Sequence, residues 1–227
     1  MLFIILIFFA VLSFWAGNTL RRKFREFSEV PTSSGLSGAE IAAKMLRDHN
    51  IHDVKITSVE GELTDHYNPM NRTINLSREV YYGRNVAAAA VAAHETGHAV
   101  QHATAYAMLQ FRSAMVPVVN LSSKLMSIIF IVGLLGGYMF NFMQQAFMLV
   151  IAAQAVITLF SLVTLPVEFD ASARALAWLR QSKITVGSEF DKAKSALRWA
   201  ASTYVIASLA AIAQLLYFIL ALSGNDD

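Results

Sequence analysis

His94-Glu95-Thr96-Gly97-His98 sets two imidazoles four residues apart, with a carboxylate directly after the first. On an α-helix, positions i and i+4 share a face about one turn apart. Two histidines so placed can hold one Zn²⁺ through ring nitrogens at about 2.0–2.1 Å. Glu95 falls on the same broad face and can take a proton from a zinc-activated water. The five residues thus supply two metal ligands and a general base, the H-E-x-x-H pattern of a hydrolytic zinc site, provided that they lie on a helix.

The residues before the motif favour that helix. Val86-Ala87-Ala88-Ala89-Ala90-Val91-Ala92-Ala93 has small side chains all round, so neighbouring helices can approach closely. A buried central helix is expected from Asn85 to about Gln110. Upstream, Thr32-Ser33-Ser34-Gly35 is a loop leading to Ser37-Gly38-Ala39-Glu40, a capping box with Ser37 as N-cap and Glu40 reaching back. Ile41, Met45 and Leu46 then give residues 38–49 one apolar face. Val54 to Val59 alternates like a strand, and Gly61 turns the chain. Leu63–Tyr67 and Thr73–Leu76 read as a hairpin across Asn68-Pro69-Met70-Asn71.

The remainder of the chain is apolar in blocks. Of 227 residues, 56% are hydrophobic and 15% charged, against about 25% charged in a soluble domain. Residues 1–20, 116–140, 146–166 and 203–222 are candidate spans, so the expected fold class is an α-helical integral membrane protein with about four transmembrane helices. In the first span the charges Arg21, Arg22, Lys23 and Arg25 follow the apolar run, which favours an uncleaved anchor over a signal peptide. Two polar segments lie between the spans. Residues 21–115 read as a small α+β core carrying the motif helix, and residues 167–200 as helical, with a helix opening at Pro166.

Of the 18 Lys and Arg, eleven lie in residues 21–115 and six in 167–200, with Lys124 the remainder. The positive-inside rule therefore puts both polar segments in the cytoplasm, and both termini and the link near Gly136–Gln145 outside. The expected location is the cell membrane, multi-pass, with a cytoplasmic site. A net charge of +2 offers nothing to nucleic acid. With no cysteine, disulfides, thiolate ligands and cysteine nucleophiles are all excluded, and any metal centre must use His and carboxylates.

A catalytic zinc site needs a third protein ligand and a position left for water. In Leu165-Pro166-Val167-Glu168-Phe169-Asp170-Ala171-Ser172, Glu168 follows the third span and returns to the side where the histidines emerge. A carboxylate there is costly unless paired or metal-bound, so the topology permits Glu168 as a ligand without excluding a solvated interfacial role. His102 competes, but His94 and His102 stand about 12 Å apart along a straight helix, too far for one ion. A place beside the site, facing substrate, or a structural role suits it better. His49 and His52 flank a surface helix end. His66, in the hairpin, either faces the site or is structural.

His94-Glu95-x-x-His98, two spans, then Glu168-Phe169-x-Ala171 resembles the membrane gluzincins of the HtpX kind, where the glutamate of a Glu-x-x-Ala-Asp motif is the third zinc ligand. A closer resemblance, running through nearly the whole chain, is to the YugP-type membrane zinc metallopeptidases. It is carried by Ser33-Ser34-Gly35-Leu36-Ser37-Gly38-Ala39-Glu40, Thr64-Asp65-His66-Tyr67-Asn68-Pro69, Ala92-Ala93-His94-Glu95-x-Gly97-His98-Ala99-Val100-Gln101 and Leu165-Pro166-Val167-Glu168-Phe169-x-Ala171-Ser172. The resemblance implies a gluzincin-like core, Zn²⁺ held by His94, His98 and Glu168, and Glu95 as general base of an endopeptidase acting on peptides or proteins, membrane proteins among them. One position departs from the HtpX-type pattern: Ser172 stands where an aspartate would orient a zinc histidine. Asp170, Ser172 or a backbone carbonyl can take that role, with Asp65 and Asn68 as further candidates. Arg174 could face an oxyanion or a lipid headgroup; His102, Tyr67 and Tyr106 are other possible oxyanion donors. Strand Thr73–Leu76 is expected to pair with an extended substrate. A zinc-binding scaffold without proteolysis is the alternative, opposed by the presence of Glu95. A transporter is opposed by spans two to four, whose one charged residue, Lys124, lies near an end.

Overall fold

A computed structural model of the chain describes residues 1–134 and 143–223. In order, the elements are α1 (Leu2–Ser28), α2 (Gly38–Asp48), β1 (Lys55–Val59), β2 (His66–Asn68), β3 (Thr73–Ser77), α3 (Arg78–Tyr82), α4 (Val86–Ala103), α5 (Ala107–Leu134), α6 (Met143–Gln181) and α7 (Ser188–Ser223). The protein is mostly helical with one small sheet. Helices α1, α5, α6 and α7 are long and apolar enough to cross a membrane, with mean hydropathies of 2.1, 1.8, 2.4 and 2.4 over their most apolar windows. The end of the expected second span, and most of the link after it, lie outside the described residues.

Helix α6 corrects one expectation. No helix opens at Pro166; the proline lies inside a continuous 39-residue helix. An interior proline forfeits one backbone hydrogen bond, a loss that long apolar helices tolerate when neighbouring groups re-satisfy the backbone. Glu168 therefore sits on the same helix as the third apolar run.

The chain divides into two compact units. The first comprises Met1–Phe14, Gln110–Leu165 and Tyr204–Asp227. Within it α6 and α7 are tied by polar side chains on backbone carbonyls. Gln154 Nε2 and Thr158 Oγ1 donate to Ala211 O at 3.2 and 3.1 Å, and Ser208 Oγ donates to Ser161 O at 3.1 Å. The acceptor residue at the contact, Ala211, is small and buried, which lets these groups meet. The opposite character appears on α1 and α5, which expose Phe3, Ile7, Leu121 and Phe130, as lipid-facing helices do.

The second unit comprises Trp15–Leu109 and Pro166–Thr203. Its sheet has the order β1-β3-β2, with β1 parallel and β2 antiparallel to β3. The hairpin forms with Tyr67 opposite Ile74, but β2 begins at His66. Leu63 is left-handed (φ 57°) and Gly61 has φ 104°, and the Thr64 hydroxyl donates to Glu60 O and Gly61 O. That turn consumes the residues expected to start the strand.

A second correction follows from strand order. Thr73–Leu76 lies in the central strand, paired on both sides, so it has no edge to offer a substrate. The strand with one open edge on the hairpin side is β2.

Helix α2 opens with the expected box: Glu40 N donates to Ser37 Oγ at 3.3 Å and Ser37 N to Glu40 Oε2 at 2.7 Å. Helix α4 is capped by Asn85, whose side chain accepts from Ala88 N at 2.9 Å. Its alanines Ala87 to Ala90, Ala92 and Ala93 are buried among α2, α3 and the sheet. The helix ends at Ala103, short of the expected Gln110. The Thr104 hydroxyl turns back onto Val100 O at 2.8 Å, and Ala105 adopts φ 51°, a left-handed stop of the kind that closes helices.

Candidate metal centre

His94 and His98 project from the middle of α4, and Glu168 from α6, all within the second unit. Gly97 permits the meeting. A β-carbon there would lie 2.6 Å from the Ala171 carbonyl oxygen, so only glycine lets the two backbones come this close. Glu168 Oε2 is then 3.3 Å from His94 Nε2 and 3.6 Å from His98 Nε2, and one ligand atom from each of the three residues lies within 4.8 Å of the others.

These distances can be tested against an ion. Bonds of about 2.1 Å at tetrahedral angles separate ligand atoms by about 3.4 Å. The two edges from Glu168, 3.3 and 3.6 Å, match such a tetrahedron, and the histidine ligand atoms lie within 4.8 Å of each other, so the set could hold an ion such as Zn²⁺. The electrostatics agree. Burial disfavours a charged imidazole at His98, but the Glu168 and Glu95 carboxylates outweigh it and hold the ring above the ordinary histidine range. The pocket favours positive charge.

The outer partners fix which nitrogens face inward. His94 Nδ1 meets Ser172 Oγ at 3.1 Å, so Ser172 stands on the histidine at the place where an aspartate was expected from the HtpX-type pattern. His98 Nδ1 meets Gln101 Oε1 at 3.0 Å. Gln101 Nε2 donates to Val167 O and Asp170 Oδ2, both at 2.8 Å. Those two acceptors leave the amide one orientation, because the flipped amide would set its oxygen against a carbonyl and a carboxylate. Gln101 must therefore accept from His98 Nδ1–H, which leaves the Nε2 lone pair for a metal. Asp170 is held in turn by Arg174 Nε at 2.5 Å, and the Arg174 guanidinium lies 5.8 Å from the Tyr106 ring centroid.

Gln101 closes one of the quoted motifs, but the sequence reading gave it no role. Its signal was present: a glutamine three residues after His98, on the same helical face and among apolar neighbours. It is fully buried.

Glu95 Oε2 accepts from Tyr67 N at 2.9 Å. A strand N–H that does not point at the neighbouring strand points out of the sheet edge, so Glu95 is pinned to the open edge of β2. Asp65 bonds Ser77 N and Oγ rather than a histidine of the site; its burial, with Glu95 nearby, raises its carboxyl above the ordinary range. His66 is structural, its ring between Thr64 O and Asn75 Nδ2. His102 bonds the Tyr67 hydroxyl through Nδ1 at 2.7 Å. His49 caps α2 through Met45 O, and His52 is exposed.

Two histidines and a carboxylate that could hold one metal ion, on a mostly helical chain with four helices apolar enough to cross a membrane, define the class: a membrane-type protein with a candidate metal centre. The sequence comparisons make the class specific. Residues 2–223 match the family described as "Putative neutral zinc metallopeptidase", and the chain belongs to that family. It is 41% identical over 229 residues to the "Putative membrane protease YugP" of Bacillus subtilis (strain 168), covering 100% of both chains. No solved structure gives a match.

Proposed function

We propose that the protein is a membrane-embedded, zinc-dependent endopeptidase with a gluzincin-like core, its site on the cytoplasmic side. The observation that carries this reading is the pairing of the His94–His98–Glu168 cluster, spaced for one tetrahedral ion, with a carboxylate fixed beside it by Tyr67 N–H. His94, His98 and Glu168 would hold Zn²⁺, and the ion, when bound, would supply Lewis-acid polarisation of a carbonyl and of a water. Glu95 takes the proton from the attacking water and passes it to the leaving amine. The Tyr67 N–H keeps one Glu95 oxygen in place while the other stays available for that proton. An extended peptide lies along the open edge of β2, where the Tyr67 carbonyl accepts from it while the Tyr67 N–H stays on Glu95. The distribution of Lys and Arg supports the cytoplasmic placement.

The test is Glu95→Gln in the full-length protein, purified in detergent and loaded with zinc. The glutamine oxygen can still accept from Tyr67 N–H, so zinc content stays at the wild-type level. Hydrolysis of a quenched-peptide library falls by about 10²–10⁴-fold, the usual contribution of a positioned base. Wild-type cleavage rates in the variant remove Glu95 as base. A zinc-loaded wild type that cleaves nothing leaves the scaffold reading in its place.

A further inference from the structure

Trp15 on α1 and Trp199 on α7 meet edge to face, with ring centroids 5.5 Å apart, and both belong to the second unit. Each stands where an apolar run meets a charged one. The run of α1 ends at Gly17, and Arg21 and Arg22 follow; that of α7 begins at Thr203, just after Arg198. Trp15 is 55% exposed. Indole rings concentrate where bilayer hydrocarbon gives way to headgroups. The contact therefore sets the two helices at one depth, with the cations of both on its polar side.

A hollow of about 450 Å³ opens beside Trp199, lined by Asp191, Lys194, Ser195, Arg198 and Trp199. Their spacings of three and four put them on one face of α7. Read toward the apolar run, that face offers a carboxylate, two cations with a hydroxyl, then an indole. Lys194 and Arg198 are exposed, and neither has an ion pair or hydrogen bond with any described residue. Arg22, two turns from Trp15 on the same face of α1, is unpaired in the same sense. By contrast Lys23, Lys44 and Arg84 each hold a carboxylate. The cations beside the tryptophans are thus left to a partner from outside the chain.

We propose that this hollow seats the headgroup of an anionic phospholipid, its phosphate between Lys194 and Arg198 and its acyl chains along the apolar run beyond Trp199. A guanidinium and an ammonium one turn apart supply charge-assisted donors to phosphate oxygens. Basic residues just outside a span gain from an anionic leaflet. The indole contacts and the apolar run favour a lipid over a soluble phosphate, which would use the cations alone. Two cations against one carboxylate favour an anionic headgroup over a zwitterionic one, which would bring its own positive charge. The proposal stands whether or not the protein cleaves peptides.

The experiment reconstitutes the full-length protein into phosphatidylcholine vesicles that carry a minor fraction of a dibrominated lipid, which quenches the indoles it touches. Dibrominated phosphatidylglycerol quenches the wild type more than dibrominated phosphatidylcholine or phosphatidylethanolamine at equal fraction, with a relative affinity about 10-fold higher, as two free cations near a membrane surface give. Lys194→Gln with Arg198→Gln removes most of that preference, and thermal unfolding verifies that this variant is folded. Arg47→Gln with Lys55→Gln, an equal loss of charge at exposed, unpaired cations on α2 and β1, keeps it. Equal quenching by all three lipids in the wild type overturns the proposal. So does an equal loss in the two double variants, which would make net charge the cause. Recovery of emission on adding inorganic phosphate, but not chloride of the same ionic strength, would identify a site for free phosphate and overturn the lipid.

Discussion

Gly97 lies against the backbone of Ala171, and its missing side chain is what lets α4 and α6 close around the His94–His98–Glu168 cluster. The glycine inside the H-E-x-x-H pattern is thus a packing residue as much as a linker between two histidines. Gly97→Ala must push α6 away by several tenths of an ångström or more, since a β-carbon would otherwise stand 2.6 Å from a carbonyl oxygen. Overpacking of this kind typically costs about 1–3 kcal/mol. The expected result is a lower unfolding temperature and zinc binding at least about 10-fold weaker by chelator competition, because Glu168 moves with the helix. Unchanged zinc affinity would show that Glu168 does not depend on this contact.

Gln101 orients His98 from inside the protein. Gln101→Met keeps the bulk but removes the acceptor for His98 Nδ1–H and the donors to Val167 O and Asp170. Loss of such a partner typically weakens metal binding about 10–100-fold, and chelator competition reads it directly. Ser172→Ala removes the single hydroxyl on His94 and should weaken binding less, by a few-fold. The reverse ranking would make Ser172 the main orienting residue.

The absence of cysteine makes the membrane orientation accessible to a clean measurement. Met70, at the tip of the β2–β3 turn, is 92% exposed. In intact cells, Met70→Cys should resist a membrane-impermeant maleimide and should label fully once the membrane is permeabilised. Labelling of intact cells would place the sheet, and with it the proposed site, on the outer side.

Acid stability offers a separate test of how α2 is held to α6. Asp48 accepts from Lys44 Nζ at 2.8 Å and from Trp178 Nε1 at 3.0 Å. The Lys44 hydrogen bond, with Trp178 adding to it, holds the carboxyl below its ordinary range. A depressed carboxylate contributes stability above its unfolded value, about 3.9, and loses it as the pH falls through the folded value. Asp48→Asn should therefore lower the unfolding temperature by about 1–3 °C at pH 7, a small effect because the pair is partly exposed. The gap to wild type should close below about pH 4. A gap that persists there would mean that the charge of Asp48 is not what stabilises the contact.

Much of the molecule was legible in the residues themselves. Small side chains before His94 predicted a buried helix, the Ser37–Glu40 box predicted where α2 begins, and the apolar blocks predicted four long helices. These are local properties: helical spacing, capping and hydropathy depend on near neighbours and survive in any tertiary context. The positions of β1 and β3 were legible for the same reason, but the start of β2 and the strand order were not. That β3 is central and β2 the open edge depends on β1 pairing parallel to a strand eighteen residues later in register, which alternation within a strand cannot express.

For the site, spacing alone fixed His94, Glu95 and His98 on one helical face, and it permitted Glu168. What the tertiary structure decided was the approach of α6 to Gly97, the pinning of Glu95 by Tyr67 N–H, the turn that frees α5 from α4 at Ala105, and the contact of Gln101 and Ser172 with the two histidines. The contacts of Gly97 with Ala171, Glu95 with Tyr67 and His94 with Ser172 join residues far apart in the chain across a few ångströms, and such distances are set by how whole elements pack. A linear pattern names which groups can bind a metal; only packing determines that they converge on one point with their lone pairs facing it.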